Sequence, residues 1–264
     1  MNKQQLASKI WAAANKMRSN IDADKYKDII LGFIFYKFLS NKEESFFTNE
    51  GMTNEDMKEC LVEKDEDTVK YAQKNLGYFL AYNHLFSTWI KDEENNFSVA
   101  IVKDALSAFS RLINKSHEKV FKDIFNTLDT SISNLGSTDL DRTKAISDLL
   151  FLINDIPMNE KQNYDVLGFV YEYLISNFAA NSGKKAGEFY TPHEVSLLMS
   201  EIVAEHLKNK DKIEIYDPTS GSGSLLINIG RSITKYVKDK DNIKYYAQEL
   251  NPSTYNLTRM NLVM

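Results

Sequence analysis

At 264 residues the chain has room for two domains of ordinary size, and 43% hydrophobic with 26% charged residues is the balance of a globular protein, not a disordered or fibrous one. A net charge of −5 argues against a general polyanion-binding surface, and no apolar run approaches the roughly 18 residues of a membrane span. The single cysteine, Cys60, cannot close an internal disulfide, and no Cys or His stands at ligand spacing around it, so neither a disulfide frame nor a metal site is expected.

The opening stretch from Met1 to Ile10 lacks an apolar core followed by a small-residue cleavage site, so the expected location is cytoplasmic. From Gln4 to about Phe178 the apolar residues recur at three and four, which is helical spacing. Ile29, Ile30, Phe33, Ile34 and Phe38 predict one strongly amphipathic helix behind the cap candidates Asp22 and Asp24. Between Glu43 and Asp67 stand ten acids and two lysines, a local balance of −8 that leaves +3 for the rest of the chain; this stretch reads as a solvated connection. Gly77-Tyr78-Phe79-Leu80 reads as a short extended piece, and further helices are predicted near 99–114, 117–128, 141–154 and 164–179, with a polar break from Thr130 to Thr138. Residues 1–160 are thus expected to form an all-helical domain, and residues 161–264 a second one.

The rhythm changes after the glycine- and lysine-bearing stretch from Ala180 to Gly187. Thr191 can cap, and Pro192 open, a helix running to about Leu207. A strand at 213–217, a helix at 224–238, a polar turn, a strand at 243–248 and a helix from about Pro252 then follow, the order of a parallel crossover unit. Two parallel strands alone leave an open edge and an uncovered face.

Ile215-Tyr216-Asp217-Pro218-Thr219-Ser220-Gly221-Ser222-Gly223 ends the first strand in a glycine loop, the place where a parallel sheet holds a nucleotide-like cofactor. The dinucleotide pattern Gly-x-Gly-x-x-Gly is broken here, because Leu226 stands at the third glycine position and Asp217 precedes the loop. A carboxylate at that mouth suits a cationic cofactor, and S-adenosylmethionine carries an ammonium, a sulfonium and a ribose but no phosphate. The bland alternative is a tight strand-to-helix turn in some other α/β protein. Glu249, ending the second strand, stands where this architecture grips ribose hydroxyls, or else is a capping or exposed acid. Phe189 and Tyr190 could face a sulfonium and the helix start after Thr191 could receive a carboxylate, or the pair could be a hydrophobic staple. His193 reads as a first-turn surface residue, not as a base.

Three segments together resemble the modification (M) subunits of type I restriction-modification systems: Gly187-Glu188-Phe189-Tyr190-Thr191-Pro192, Asp217 through Ser224 with Leu225-Leu226, and Gln248-Glu249-Leu250-Asn251-Pro252 with the following helix. The resemblance implies an α plus α/β chain, an all-helical N-terminal domain followed by the beginning of a Rossmann-like S-adenosylmethionine-dependent methyltransferase domain. It implies adenine-N6 methylation of DNA and a cofactor site built from Glu188, Phe189, Tyr190, Thr191, Pro192, His193, Asp217, Pro218, Thr219, Ser220, Gly221, Ser222, Gly223, Ser224 and Glu249. It also implies a DNA-sequence specificity subunit, a nuclease subunit and a second M subunit as partners, with duplex DNA met mainly through the complex.

The family's catalytic signature, Asn-Pro-Pro-Phe or a close variant, follows the ribose motif, and it is not reached before Met264, so no catalytic residue is assigned and little methylation is expected of these 264 residues alone. Asn251-Pro252 is no substitute, since it continues into Ser253-Thr254 and opens a helix. The other readings are a methyltransferase of another substrate class, an interaction scaffold that docks a specificity subunit without chemistry, and, third, an NAD-binding enzyme.

Overall fold

The computed structural model describes residues 2–17, 23–91, 97–158, 166–182, 191–237 and 242–264. They divide into two compact units, Met1–Glu160 and Lys161–Met264.

The described part of the first unit is helical: α1 (Lys3–Met17), α2 (Ala23–Asn49), α3 (Asn54–Cys60), α4 (Glu66–Leu76), α5 (Phe86–Ile90), α6 (Val99–Arg111), α7 (Glu118–Phe121), α8 (Asn126–Ile132) and α9 (Asp139–Asn154). α2 departs from the amphipathic helix expected. Ile29-Ile30-Leu31-Gly32-Phe33-Ile34-Phe35-Tyr36 is apolar on every face, and all of it is buried beneath α1, α5, α8 and α9. A helix with no polar stripe has to be enclosed, and this one is the axis of the unit. Aromatic rings gather on it: Tyr36 stacks on Trp89 at 4.8 Å and meets Phe125 at 5.5 Å, and Phe109 reaches Phe125 at 5.1 Å.

Polar groups buried with α2 are matched to backbone. Lys37 Nζ donates to the carbonyls of Ile153 and Asn154 at the C-terminal end of α9, where a cation is favoured, and to that of Ile156 just beyond it. Burial nevertheless lowers its pKa to about 8, against the opposing pull of Asp155. The acidic stretch is solvated over most of its acids, as expected, but is no mere connection, since it takes in the end of α2, all of α3 and the start of α4, and one acid is buried. Glu43 is buried on α2 and both its oxygens lie 3.0 Å from the Leu80 amide. Asp56 completes a capping box with Thr53 on α3, and Asp65 caps α4, so local hydrogen bonds organise the charges.

Gly77 to Leu80 forms no strand; Tyr78, Phe79 and Leu80 are buried as an irregular segment whose Leu80 amide goes to Glu43 instead of a ladder. The helix predicted at 117–128 is two helices, α7 and α8, interrupted where Asp123 takes φ 59°.

The second unit contains α10 (Val166–Ser182), α11 (His193–Leu207), β1 (Ile213–Asp217), α12 (Ser224–Ile233), β2 (Ile243–Ala247) and α13 (Pro252–Val263). β1 and β2 are parallel, in register from Ile213 opposite Ile243 to Asp217 opposite Ala247. Ala204, Ile213, Ile233 and Ile243 form the core, with Leu207, Ile215, Ile229 and Val237 packed against it. α12 lies on α11 through small residues, Ser196 and Ser200, and Asn228 Nδ2 donates to Ser196 Oγ at 2.8 Å. Tyr216 and Tyr246 remain 60% and 48% exposed, the open sheet face expected of two strands.

Two local expectations change. Pro192, not Thr191, occupies the N-cap of α11, and no side chain caps it, because proline lacks a side-chain acceptor. α12 ends at Ile233, several residues before the expected 238.

Candidate cofactor site

The C-terminal ends of β1 and β2 lie side by side because the register pairs Asp217 with Ala247. The turns that follow them are laced together. Gln248 donates its amide to the Asp217 carbonyl at 2.9 Å, and Ser220 returns its amide to the Gln248 carbonyl at 2.9 Å. Strand pairing therefore continues one step into the loops and fixes their spacing.

The loop itself turns on two glycines. Gly221 has φ 56° and Gly223 φ 82°, both left-handed, and at Gly223 a Cβ would also stand 3.3 Å from Thr258 Cγ2. Gly223 donates to the Ser220 carbonyl at 2.8 Å and serves as N-cap of α12, so the loop delivers the chain straight into a helix N-terminus. The first amides of a helix carry partial positive charge and lack internal partners.

Two carboxylates flank this loop. Asp217 is only 9% exposed; its Oδ1 accepts the Thr219 amide at 3.0 Å, while its Oδ2 is buried and has no hydrogen-bond partner among the described residues. An unsatisfied buried carboxylate oxygen is costly unless a donor or cation comes to it. Glu249 is half-buried, with Oε2 accepting the Gly221 amide at 3.0 Å and Oε1 the Asn251 amide at 2.9 Å. Each carboxylate oxygen has two lone-pair sites, so both can accept a further donor. The arrangement can hold a ligand that presents a cation to Asp217 and hydroxyls to Glu249.

The remaining predicted site residues are distributed as follows. Pro218 and Thr219 are exposed, Ser220 and Ser222 are buried, and Ser224 is half-buried with its hydroxyl 2.9 Å from that of Ser222. Thr191 and His193 are half-buried and Pro192 exposed at the start of α11; Ser196, one turn on, lies 3.5 Å from the Ser224 carbonyl, which links the α11 N-terminus to the loop. Glu188, Phe189 and Tyr190 fall outside the described residues. Asn251 caps α13, accepting the Ser253 and Thr254 amides at 2.9 and 3.3 Å, with Pro252 in the first turn. Among the described residues no group of three or more His, Cys, Asp or Glu could hold a metal, and no helix is long and apolar enough to cross a membrane.

Three contributors had no signal in the glycine pattern. Gly230 lies inside α12, where a Cβ would run into the Tyr245 hydroxyl and the ring behind it, with Cζ 3.0 Å away. It allows the close approach of helix to strand that the dinucleotide pattern assigns to a third glycine, one turn beyond Leu226. Thr258 and Asn261 on α13 bind loop carbonyls, at Gly221 (2.6 Å) and Ser222 (2.7 Å). Their spacing of three on one helix face was a readable signal, but what they face was not.

Comparison with known proteins gives the site a context. Residues 6–153 match the HsdM N-terminal domain, and residues 162–264 match the N-6 DNA Methylase family. The methylase subunit of the Mycoplasma pneumoniae type I restriction enzyme MpnII is 34% identical over 97% of this chain and 49% of its own length. The MjaIX methylase subunit of Methanocaldococcus jannaschii is 26% identical over 97% of this chain and 45% of its own. A crystal structure of the type I restriction-modification methyltransferase subunit from Streptococcus thermophilus superposes with a TM-score of 0.78 at 31% identity, over 99% of this chain and 56% of that one. The chain spans about half the length of the curated relatives it matches. Helical unit, glycine-loop unit and both family matches agree: the chain belongs to the type I restriction-modification methylase subunits, with an HsdM N-terminal domain followed by N-6 DNA methylase sequence.

Proposed function

We propose that residues 161–264 hold the S-adenosylmethionine site of an adenine-N6 DNA methyltransferase subunit, and that residues 1–160 are its helical assembly domain. The observation that carries this reading is the pairing of an unsatisfied Asp217 Oδ2 with a Glu249 carboxylate 3.0 Å from the Gly221 amide, at one end of one parallel sheet. A pyrophosphate would be repelled by the Asp217 carboxylate at the loop mouth, whereas a cationic nucleoside with free ribose hydroxyls is matched by Asp217 and Glu249 together.

In this reading Glu249 takes the ribose hydroxyls while it keeps the loop amide. Asp217 supplies negative charge to the methionine side of the cofactor. Residues 221–224 bring backbone close to the ligand, and the α11 start with Thr191, Pro192 and His193, preceded by Glu188, Phe189 and Tyr190, completes that side. When bound, S-adenosylmethionine supplies an electrophilic methyl group on a sulfonium.

The whole protein would pass that methyl to adenine N6 in duplex DNA, working with a specificity subunit, a nuclease subunit and a second M subunit. Delegating base reading to the specificity subunit accounts for a chain of net charge −5 serving DNA. Titration calorimetry of the 264-residue chain, with S-adenosylmethionine in one series and NAD in another, tests the site. Binding of the first and not the second supports it, and the reverse order overturns it. Co-purification with a tagged specificity subunit tests the assembly role.

A further inference from the structure

The glycine loop is anchored by a helix that the cofactor reading leaves unused. α13 turns Thr258 and Asn261 toward the loop, and both are buried, 2% and 5% exposed. Thr258 Oγ1 lies 2.6 Å from the Gly221 carbonyl, 3.1 Å from Ser220 Oγ and 3.3 Å from the Thr254 carbonyl. A hydroxyl has one proton. The shortest of these contacts takes it, so Thr258 donates to Gly221 and can accept from Ser220. Asn261 Nδ2 donates to the next carbonyl, that of Ser222, at 2.7 Å.

Within one planar peptide the carbonyl and the following amide point in opposite directions. Pinning the Gly221 carbonyl on α13 therefore turns the Ser222 amide away from α13. Pinning the Ser222 carbonyl likewise turns the Gly223 amide back across the loop, where it meets the Ser220 carbonyl at 2.8 Å. On its other side Gly221 gives its amide to Glu249. Successive peptides of the loop are thus fixed by side chains from α13 and from the end of β2, although glycines alone would leave them free to rotate.

We propose that Thr258 and Asn261 are positioning residues for the methyl-donor site: they set the peptide orientations of the loop before the ligand arrives, so that binding need not order it. The inference rests on the reading of this loop as the S-adenosylmethionine site. Preorganisation of this kind lowers the cost of binding without any contact between α13 and the ligand.

The test compares the 264-residue chain as wild type, Thr258→Val, which keeps the shape but not the hydroxyl, and Thr258→Ser, which restores it. Amide hydrogen exchange across 219–224 is followed without ligand, and S-adenosylmethionine affinity is measured by titration. Thr258→Val should exchange faster at Gly221 and Gly223, whose amides are held by Glu249 and by the Ser220 carbonyl, and bind about tenfold more weakly, while Thr258→Ser should stay within about twofold of wild type on both counts. A purely structural hydroxyl would lower Tm without a matching change in affinity. If the wild type binds and Thr258→Val binds as well, or if Thr258→Ser is as weak as Thr258→Val, the positioning role falls and the cofactor reading stands. If the wild type binds no S-adenosylmethionine, the cofactor reading falls and takes the positioning role with it.

Discussion

Gly221 and Glu249 are joined across the two strand ends by a 3.0 Å hydrogen bond from amide to carboxylate. The bond makes the turn after β2 part of the loop after β1. A change at either residue is consequently felt at both.

Asp217→Asn separates function from stability. The amide preserves an oxygen for the Thr219 amide but removes charge from a buried oxygen that has no partner among the described residues. Thermal unfolding should show a Tm equal to or above wild type, because an unpaired buried charge is lost. S-adenosylmethionine affinity should fall about tenfold, as expected when a hydrogen bond to a charged group becomes a neutral one. A lower Tm with unchanged affinity would make Asp217 a structural acid.

Gly230→Ala opposes two effects of known size. Alanine favours a helix interior over glycine by about 1 kcal/mol. Here the added Cβ meets the rigid Tyr245 ring, and overpacking of this kind costs about 1–3 kcal/mol. Denaturant unfolding should therefore give a net loss of stability, and the double variant Gly230→Ala, Tyr245→Leu should recover it. A stabilised single variant would show that the strand and helix yield at no cost.

Glu43→Gln reads out a buried carboxyl in the helical unit. Burial pushes the Glu43 pKa well above 4.5, against the lowering by the Leu80 amide. The native state therefore holds this proton more tightly than the unfolded chain does. The stability it contributes is fully present below about pH 4.5 and is lost as pH rises toward the raised native value. Relative to the neutral glutamine variant, the wild type should lose stability as pH climbs from 4.5 to 7 in denaturant titrations. A difference that does not change with pH contradicts a carboxyl held in its protonated form.

The sequence made the second unit readable because its punctuation is strong. Pro218, Gly221 and Gly223 end β1 and begin α12, and Asn251-Pro252 opens α13, so β1, β2 and the α13 start were legible to within a residue. What escaped depended on contacts across the fold. Gly230 has meaning only against Tyr245, and Thr258 and Asn261 only against the loop carbonyls. In the first unit the acids of 43–67 suggested solvent by their number. Yet Glu43 lies seven residues after Tyr36 and four after Leu39, on a buried face of α2, and that spacing was the available clue. The α2 run from Ile29 to Tyr36 shows eight apolar or glycine residues without a polar break, which marks a wholly enclosed helix more than an amphipathic one.

Titration of the 264-residue chain with S-adenosylmethionine, beside Glu249→Ala, measures whether the end of the sheet holds the methyl donor through its ribose. Each hydrogen bond from a hydroxyl to this carboxylate is worth about 1.5–3 kcal/mol, so the wild type should show saturable one-to-one binding and the variant should bind at least about tenfold more weakly. Equal affinity of the two proteins, or no heat of binding from the wild type at millimolar ligand, would contradict a methyl-donor site held by Glu249.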